Sequence, residues 1–353
     1  MNEQYKLSVA SSPHASSPIG TRNLMLDVVI ALIPALAMSV WFFGPRALTI
    51  TLVSVISCMA FEFLYEKIMK KPNTVGDMSA VITGILLVFV CPVTLPYWMV
   101  VIGAFFAIVI VKQLFGGLGT NFLNPALAGR AFLMLCYPVD MTTWVLPGQA
   151  HWASIGTISK DFLDASTGAT PLNIDVMKGG LLPDASLFDM FIGNIGGSFG
   201  ETSSLMLLLG GVYLIARKVI RVRIPLAYIL TVAVLTLIFP RGDGNLTWMM
   251  YEILGGGLFL GAFFMATDYV TSPNNPKGEI IYGIGCGLLV VFIRYFGGYP
   301  EGVCYSILIM NICVWLFDKW TMPARFGVTK EMRAAAKAEA KAAKLAAKEG
   351  AES

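Results

Sequence analysis

A chain of 353 residues with 56% hydrophobic and only 13% charged side chains, at a mean hydropathy of +0.71, lies outside the range of soluble globular domains. Composition therefore excludes a soluble enzyme and describes a multi-pass membrane protein. The net charge of +3 says little about partners, since the basic residues cluster in a few loops and the tail and inform through their positions; no nucleic-acid partner is expected.

Residues 1–22 are polar and lack an apolar core ending in a small-residue cleavage site, so the first span is expected to act as its own insertion signal. Apolar spans are predicted over residues 24–43 and 47–65. The second ends in Glu66-Lys67-Ile68-Met69-Lys70-Lys71, a basic loop that belongs in the cytoplasm and places the N-terminus there too. Span three, residues 79–91, is bounded by Asp77 and Pro92 and is shorter than the ~20 residues a straight crossing needs. Span four covers 97–111 and stops at Lys112. A glycine-rich loop then leads through Asn121 to Asn124-Pro125, which opens the short span 125–136 with an N-capping Asn and a first-turn Pro. Short spans interrupted by Gly and Pro point to broken helices that line a ligand or ion site.

Residues 137–202 are hydrophilic, with Asp140, Asp161, Asp164, Asp175, Asp184 and Asp189 against Lys160 and Lys178, and are expected outside. Further spans are predicted over 203–216, 225–239, 252–267, 280–293 and 302–317, with the basic stretch Arg217–Arg223 and the tail inside. The expected fold is an all-α membrane protein of ten transmembrane helices. Two five-helix inverted repeats, residues 1–136 and 203–320, would contain short broken helices and flank an extracytoplasmic loop, 137–202. A basic Ala/Lys-rich tail, 321–353, completes the chain. In it Arg333, Lys337, Lys341, Lys344 and Lys348 form one basic face, which suits either a solvated helix or contact with anionic lipid headgroups or an acidic partner.

The six cysteines (Cys58, Cys91, Cys136, Cys286, Cys304, Cys313) lie in or beside apolar runs with no Cys-x-x-Cys, and read as buried thiols. His14 and His151, the two imidazoles, lack neighbours for a zinc site or a triad, so no metal is expected.

In the outer loop, Asp164-Ala-Ser-Thr167-Gly168-Ala169-Thr170 reads by itself as a polar turn. It also resembles the Asp-x-x-(Ser/Thr)-Gly-Ala-Thr flavinylation motif, whose last Thr receives FMN through a phosphoester bond made by a dedicated flavin transferase. That chemistry needs an exposed hydroxyl to attack the pyrophosphate of FAD. Gly168 and Ala169 leave room for the nucleotide, and Asp164 can hold a metal or orient the acceptor during transfer. Thr170 is the expected acceptor and Thr167 the fallback.

Four further segments carry a wider resemblance: Thr120-Asn121-Phe-Leu-Asn124-Pro-Ala-Leu-Ala-Gly-Arg130, Gly196-Gly-Ser-Phe-Gly-Glu201-Thr-Ser, Phe264-Met-Ala-Thr-Asp268-Tyr-Val-Thr-Ser-Pro273 and Arg294-Tyr-Phe-Gly-Gly-Tyr-Pro-Glu-Gly302. They resemble the RnfD family, the D subunits of the Rnf electron-transport complex, and its relative, the B subunit of the sodium-translocating NADH:quinone reductase. The short N-terminus is nearer the Rnf protein; the Lys/Ala tail departs from the shortest members. The resemblance implies a flavin-carrying component of an inner-membrane complex that couples reduced ferredoxin and NAD⁺ to Na⁺ or H⁺ movement. Its cofactors would be a covalent FMN at Thr170 outside and a non-covalent riboflavin nearer the cytoplasm. Its partners would be the other Rnf subunits (membrane and flavin/iron–sulfur subunits), the flavin transferase and membrane lipid.

Asn121 and Asn124 are expected either to hydrogen-bond the riboflavin or simply to cap a helix. Asp268 is a second candidate for that flavin or for an ion. Glu62, inside an apolar span, and Asp318, at the end of the last, are the expected cation-path carboxylates, although Glu62 beside Lys67 also suits an ordinary interfacial pair. Arg130 and Arg294 would neutralise a flavin phosphate or snorkel to the interface. A rival class, a small-solute channel of the urea or ammonium type, shares the ten-span pattern but has no use for the flavinylation motif.

Overall fold

A computed structural model describes residues 20–147, 185–242, 244–297 and 302–323, and among these the regular structure is helical, with thirteen α-helices and no strand. The expected flavin-loop residues Asp164, Thr167, Gly168, Ala169 and Thr170 lie outside the described residues, as does the basic face of the tail.

Helix α1 (Thr21–Phe43) and helix α2 (Pro45–Ile68) are separated by Gly44 alone, whose φ of 77° a side chain would resist, and Pro45 starts α2 at the position where its missing N–H costs nothing. Helix α3 (Ser79–Phe89) is short, as Asp77 and Pro92 predict. Helix α4 (Tyr97–Phe105) runs on as a π-helix, Phe106–Gln113, two residues past the expected end. Helix α5 (Pro125–Cys136) has the predicted bounds and is followed by the single turn α6 (Pro138–Met141).

In the second half, α7 (Leu187–Ile192) is capped by Ser186, whose hydroxyl with the Asn194 amide holds the Asp189 carboxyl below the usual range. Helices α8 (Ser204–Ala216) and α9 (Arg223–Ile238) follow. The predicted span 252–267 is corrected: α10 (Asn245–Leu254) begins earlier and meets α11 (Leu258–Leu260), which continues as the π-helix Gly261–Met265, at a 60° bend. Gly255-Gly256-Gly257 makes that bend, Gly256 and Gly257 adopting φ of 62° and 66°. Helices α12 (Pro276–Phe296) and α13 (Val303–Thr321) close the chain.

Four helices, α1, α2, α12 and α13, are each long and apolar enough to cross a membrane, and the bent pair makes a fifth. The other five expected spans are apolar helices of 10–17 residues. Trp41, Ile56, Leu135 and Trp315 face outward and are each at least 64% exposed, the surface a lipid-embedded protein presents. Cys136, expected to be buried, is exposed because it ends α5 at the rim; Cys58, Cys91, Cys286 and Cys304 are buried.

The two faces are fixed by side chains. Asp27, near the start of α1, accepts from Tyr213 (3.0 Å) and pairs with Arg217 (3.4 Å) at the end of α8; Arg221 and Arg223 hold Glu279 at the start of α12. These contacts define a basic face. At the opposite face Arg46 donates to the carbonyls of Val93 (2.7 Å) and Leu95 (3.1 Å), fixing the loop between α3 and α4, while Gly200 N–H donates to Phe89 O (3.2 Å) at the end of α3.

Small residues bring α2 and α3 together. Ser54 Oγ donates to Gly84 O at 2.7 Å, and a Cβ on Gly84 would stand 2.8 Å from the Val55 Cα. Gly84→Val is expected to force the two backbones apart and cost about 1–3 kcal/mol, the penalty of overpacking a filled core. Thermal unfolding of the purified variant checks it, and an unchanged midpoint would show that the seam can yield.

Candidate functional site

On the basic face a cavity of about 90 Å³, partly open to solvent, collects residues from both halves of the chain. Asn121, Asn124 and Asp268, three side chains singled out by sequence, share its wall with Lys112 and Ser79, which sequence reasoning misses. Phe263 and Phe264 are among the apolar residues of the wall.

Each polar group is placed by a helix end. Asn124 caps α5, its Oδ1 accepting from Ala126 N (3.1 Å) and Leu127 N (3.4 Å), while its Nδ2 donates to Met265 O at 3.2 Å in the other half. Capping and site-lining therefore coexist in one amide. Asn121 Nδ2 donates to Leu123 O (3.0 Å) and holds the turn into α5. Asp268 Oδ2 accepts from Thr271 Oγ1 (3.0 Å) in the turn after the π-helix. Behind them, Asn311 ties three segments when its amide is set to satisfy both ends. Its nitrogen then donates to Thr271 O (3.1 Å) and Ile307 O (3.2 Å), and its oxygen accepts from Asn124 N (3.2 Å).

Two π-helices, one per half, contribute to the walls. Phe106–Gln113 turns Lys112 and Gln113 inward, and Gly261–Met265 presents Phe263 and Phe264. A π-turn inserts one residue into the i→i−4 ladder and rotates the residues beyond it, a distortion frequent at functional sites.

Lys112 is held by a buried carboxylate. Its Nζ donates to Glu62 Oε1 at 2.7 Å and to Ser79 Oγ at 2.6 Å, and Gln113 Nε2 donates to the same Glu62 oxygen at 2.8 Å. Glu62 and Lys112 are 0% and 2% exposed, and Glu62 Oε2 has no hydrogen-bond partner among the described residues. The interfacial pairing of Glu62 with Lys67 is thus corrected: Glu62 and Glu66, one turn apart, face inward, whereas the Lys67 ammonium sits outside, 5.9 Å above the Phe63 ring. Glu66 accepts from Thr74, through both N–H (3.1 Å) and hydroxyl. Asp318 belongs elsewhere: it accepts from Asn274 N (3.0 Å) and fastens the turn ahead of α12, away from the cavity wall.

Neither arginine snorkels. Arg294 pairs with Glu252 at 2.7 Å with both side chains buried, and also donates to Gly255 O (3.1 Å) and Gly256 O (3.4 Å), so its guanidinium fills the bend between α10 and α11. Arg130 lies 3.9 Å from Glu201, again inside. The physical reason is the same for both: carbonyls freed by broken helices, or a buried carboxylate, lie within reach without a trip to the interface.

A family model described as the NQR2, RnfD, RnfE family matches residues 8–327. The chain belongs to that family. Within the NQR2, RnfD, RnfE family it is 46% identical over 333 residues to the D subunit of the Na⁺-translocating ferredoxin:NAD⁺ oxidoreductase complex of Acetobacterium woodii, covering 94% of this chain and 98% of the relative. It is 43% identical over 335 residues to the D subunit of the proton-translocating ferredoxin:NAD⁺ oxidoreductase complex of Clostridium ljungdahlii, covering 92% and 97%. It is 38% identical over 349 residues to the D subunit of the ion-translocating oxidoreductase complex of Escherichia fergusonii, covering 91% and 99%.

Proposed function

We propose that this protein is the flavin-carrying D subunit of an ion-translocating ferredoxin:NAD⁺ oxidoreductase in the bacterial inner membrane, working with the other Rnf subunits. The observation that carries the reading is end-to-end similarity to relatives so named, 46% and 43% identical. Neither of those relatives is named as a urea- or ammonium-type channel. On this reading the five shorter apolar helices complete ten passes in two inverted halves. The basic face is cytoplasmic, both termini lie inside, and the loop with Thr170 lies outside.

The cavity suits a riboflavin. A flavin ring has an apolar benzenoid end and a pyrimidine edge bearing both N–H and carbonyl groups, and the walls offer the matching parts: Phe263 and Phe264 for the first, the amides of Asn121 and Asn124 for the second. When bound, the flavin supplies the redox chemistry. The protein's part is to bind the ring, orient its polar edge and exclude water behind the Asn311 brace. A second flavin, FMN, is assigned to Thr170 by motif, with Asp164, Thr167, Gly168 and Ala169 around it, and requires the flavin transferase. Glu62 and Asp318 remain the cation-path carboxylates of this reading; whether Na⁺ or H⁺ moves follows from ion-dependent ferredoxin:NAD⁺ activity in membrane vesicles.

Acid precipitation of the purified complex tests the assignment. Beyond the flavin released by the other subunits alone, one non-covalent flavin per D subunit should be released and one should stay on the D polypeptide; no such excess from the native complex would remove the cavity from consideration. Asn124→Ala is expected to lose the cap, about 1 kcal/mol, and with it the tie to Met265, and to lower that excess to well under half. Full retention with normal electron transfer would confine Asn124 to capping.

A further inference from the structure

An ammonium has three N–H donors. Lys112 commits one to Glu62 Oε1 and one to Ser79 Oγ, and the third has no partner among the described residues, although the side chain is 2% exposed and forms part of the cavity wall. Its counter-ion is equally incomplete, since Glu62 Oε2 accepts nothing from the described residues. Burying such a pair is costly unless the remaining donors and lone pairs are satisfied.

A second buried pair shows what a structural staple looks like. Arg294 meets Glu252 at 2.7 Å and spends further donors on the Gly255 and Gly256 carbonyls at the helix bend, without bordering this cavity. Lys112 instead keeps a spare donor and lines the cavity itself.

From this we infer that Lys112 donates its third N–H to an acceptor on the ring bound in the cavity and, through its charge, favours the ring's electron-rich state. The inference rests on the flavin reading above. Lys112 is a positioning and potential-setting residue, fixed by Glu62 and Ser79; no bond is made or broken at it. Were a flavin held there, the ammonium on the cavity wall would favour the added negative charge of its reduced form. Asp268, the carboxylate on the same wall, opposes the effect.

The test uses the assembled complex carrying the double variant Glu62→Gln/Lys112→Met, which removes both charges and strands neither, with Lys112→Arg as the charge-keeping control. The readout is an optical redox titration of the non-covalent flavin. The double variant is expected to bind reduced relative to oxidised flavin about tenfold less well, a fall of about 59 mV for a one-electron step, while Lys112→Arg stays near the native value. Flavin bound in the double variant at an unmoved potential overturns the inference and leaves the cavity reading standing. A native complex with no releasable flavin beyond that of the other subunits overturns the reading beneath it.

Discussion

Arg294→Met is expected to leave little folded protein in the membrane. Glu252 is 0% exposed, so the substitution strands a carboxylate in the interior and removes the donor that serves the Gly255 and Gly256 carbonyls. Breaking a buried pair by deleting one partner costs about 3–5 kcal/mol, against a total margin of about 5–15 kcal/mol for an ordinary domain. The bend is where a loss of this kind is least absorbable, since no i→i−4 bond crosses Gly255–Gly257 to replace it. Glu252→Gln/Arg294→Met should recover part of the loss by discharging the carboxylate, but not the part owed to the carbonyls. Size-exclusion chromatography of detergent extracts, with thermal unfolding of the protein recovered, measures parent, single and double variants alike. A single variant as abundant and heat-stable as the parent would mean that Arg294 is dispensable to the fold.

Thr170→Ala is expected to abolish covalent flavin outright. The phosphoester needs a hydroxyl at that position, and no neighbouring backbone group can replace it. After co-expression with a flavin transferase, the denatured parent should fluoresce in a gel under ultraviolet light and Thr170→Ala should not, while Thr167→Ala should keep its band. Persistence in Thr170→Ala together with loss in Thr167→Ala would move the attachment three residues upstream. An unlabelled parent would remove covalent flavin from the protein altogether.

Where local chemistry decides, the sequence can be read. Asn124 and Pro125 mark the start of α5 to the residue, because a cap and a first-turn proline act within one turn. The same amide has hydrogen-bonding capacity beyond the cap, and Met265 O in the other half uses it. Hydropathy fails at α10, where Asn245–Leu254 and the following helix average into one apolar stretch and only the conformation of Gly256 and Gly257 separates them. A 3.6-residue period makes Lys112 the anchor at the end of a span. The π-turn rotates it into the interior instead, and no spacing rule anticipates that extra residue. The ion-pair partners of Glu62, Arg130 and Arg294 lie 42 to 71 residues away in sequence and follow from tertiary packing alone.

Helix α3 reaches from Ser79 on the cavity wall to Phe89, whose carbonyl accepts from Gly200 N–H. Its eleven residues rise about 16 Å, roughly half of a ~30 Å hydrocarbon layer. Along this line the protein is a thinned insulator. On the proposed reading, carriers lodged at the two ends of α3, the shortest of the apolar helices of 10–17 residues, would be separated by about half a hydrocarbon layer.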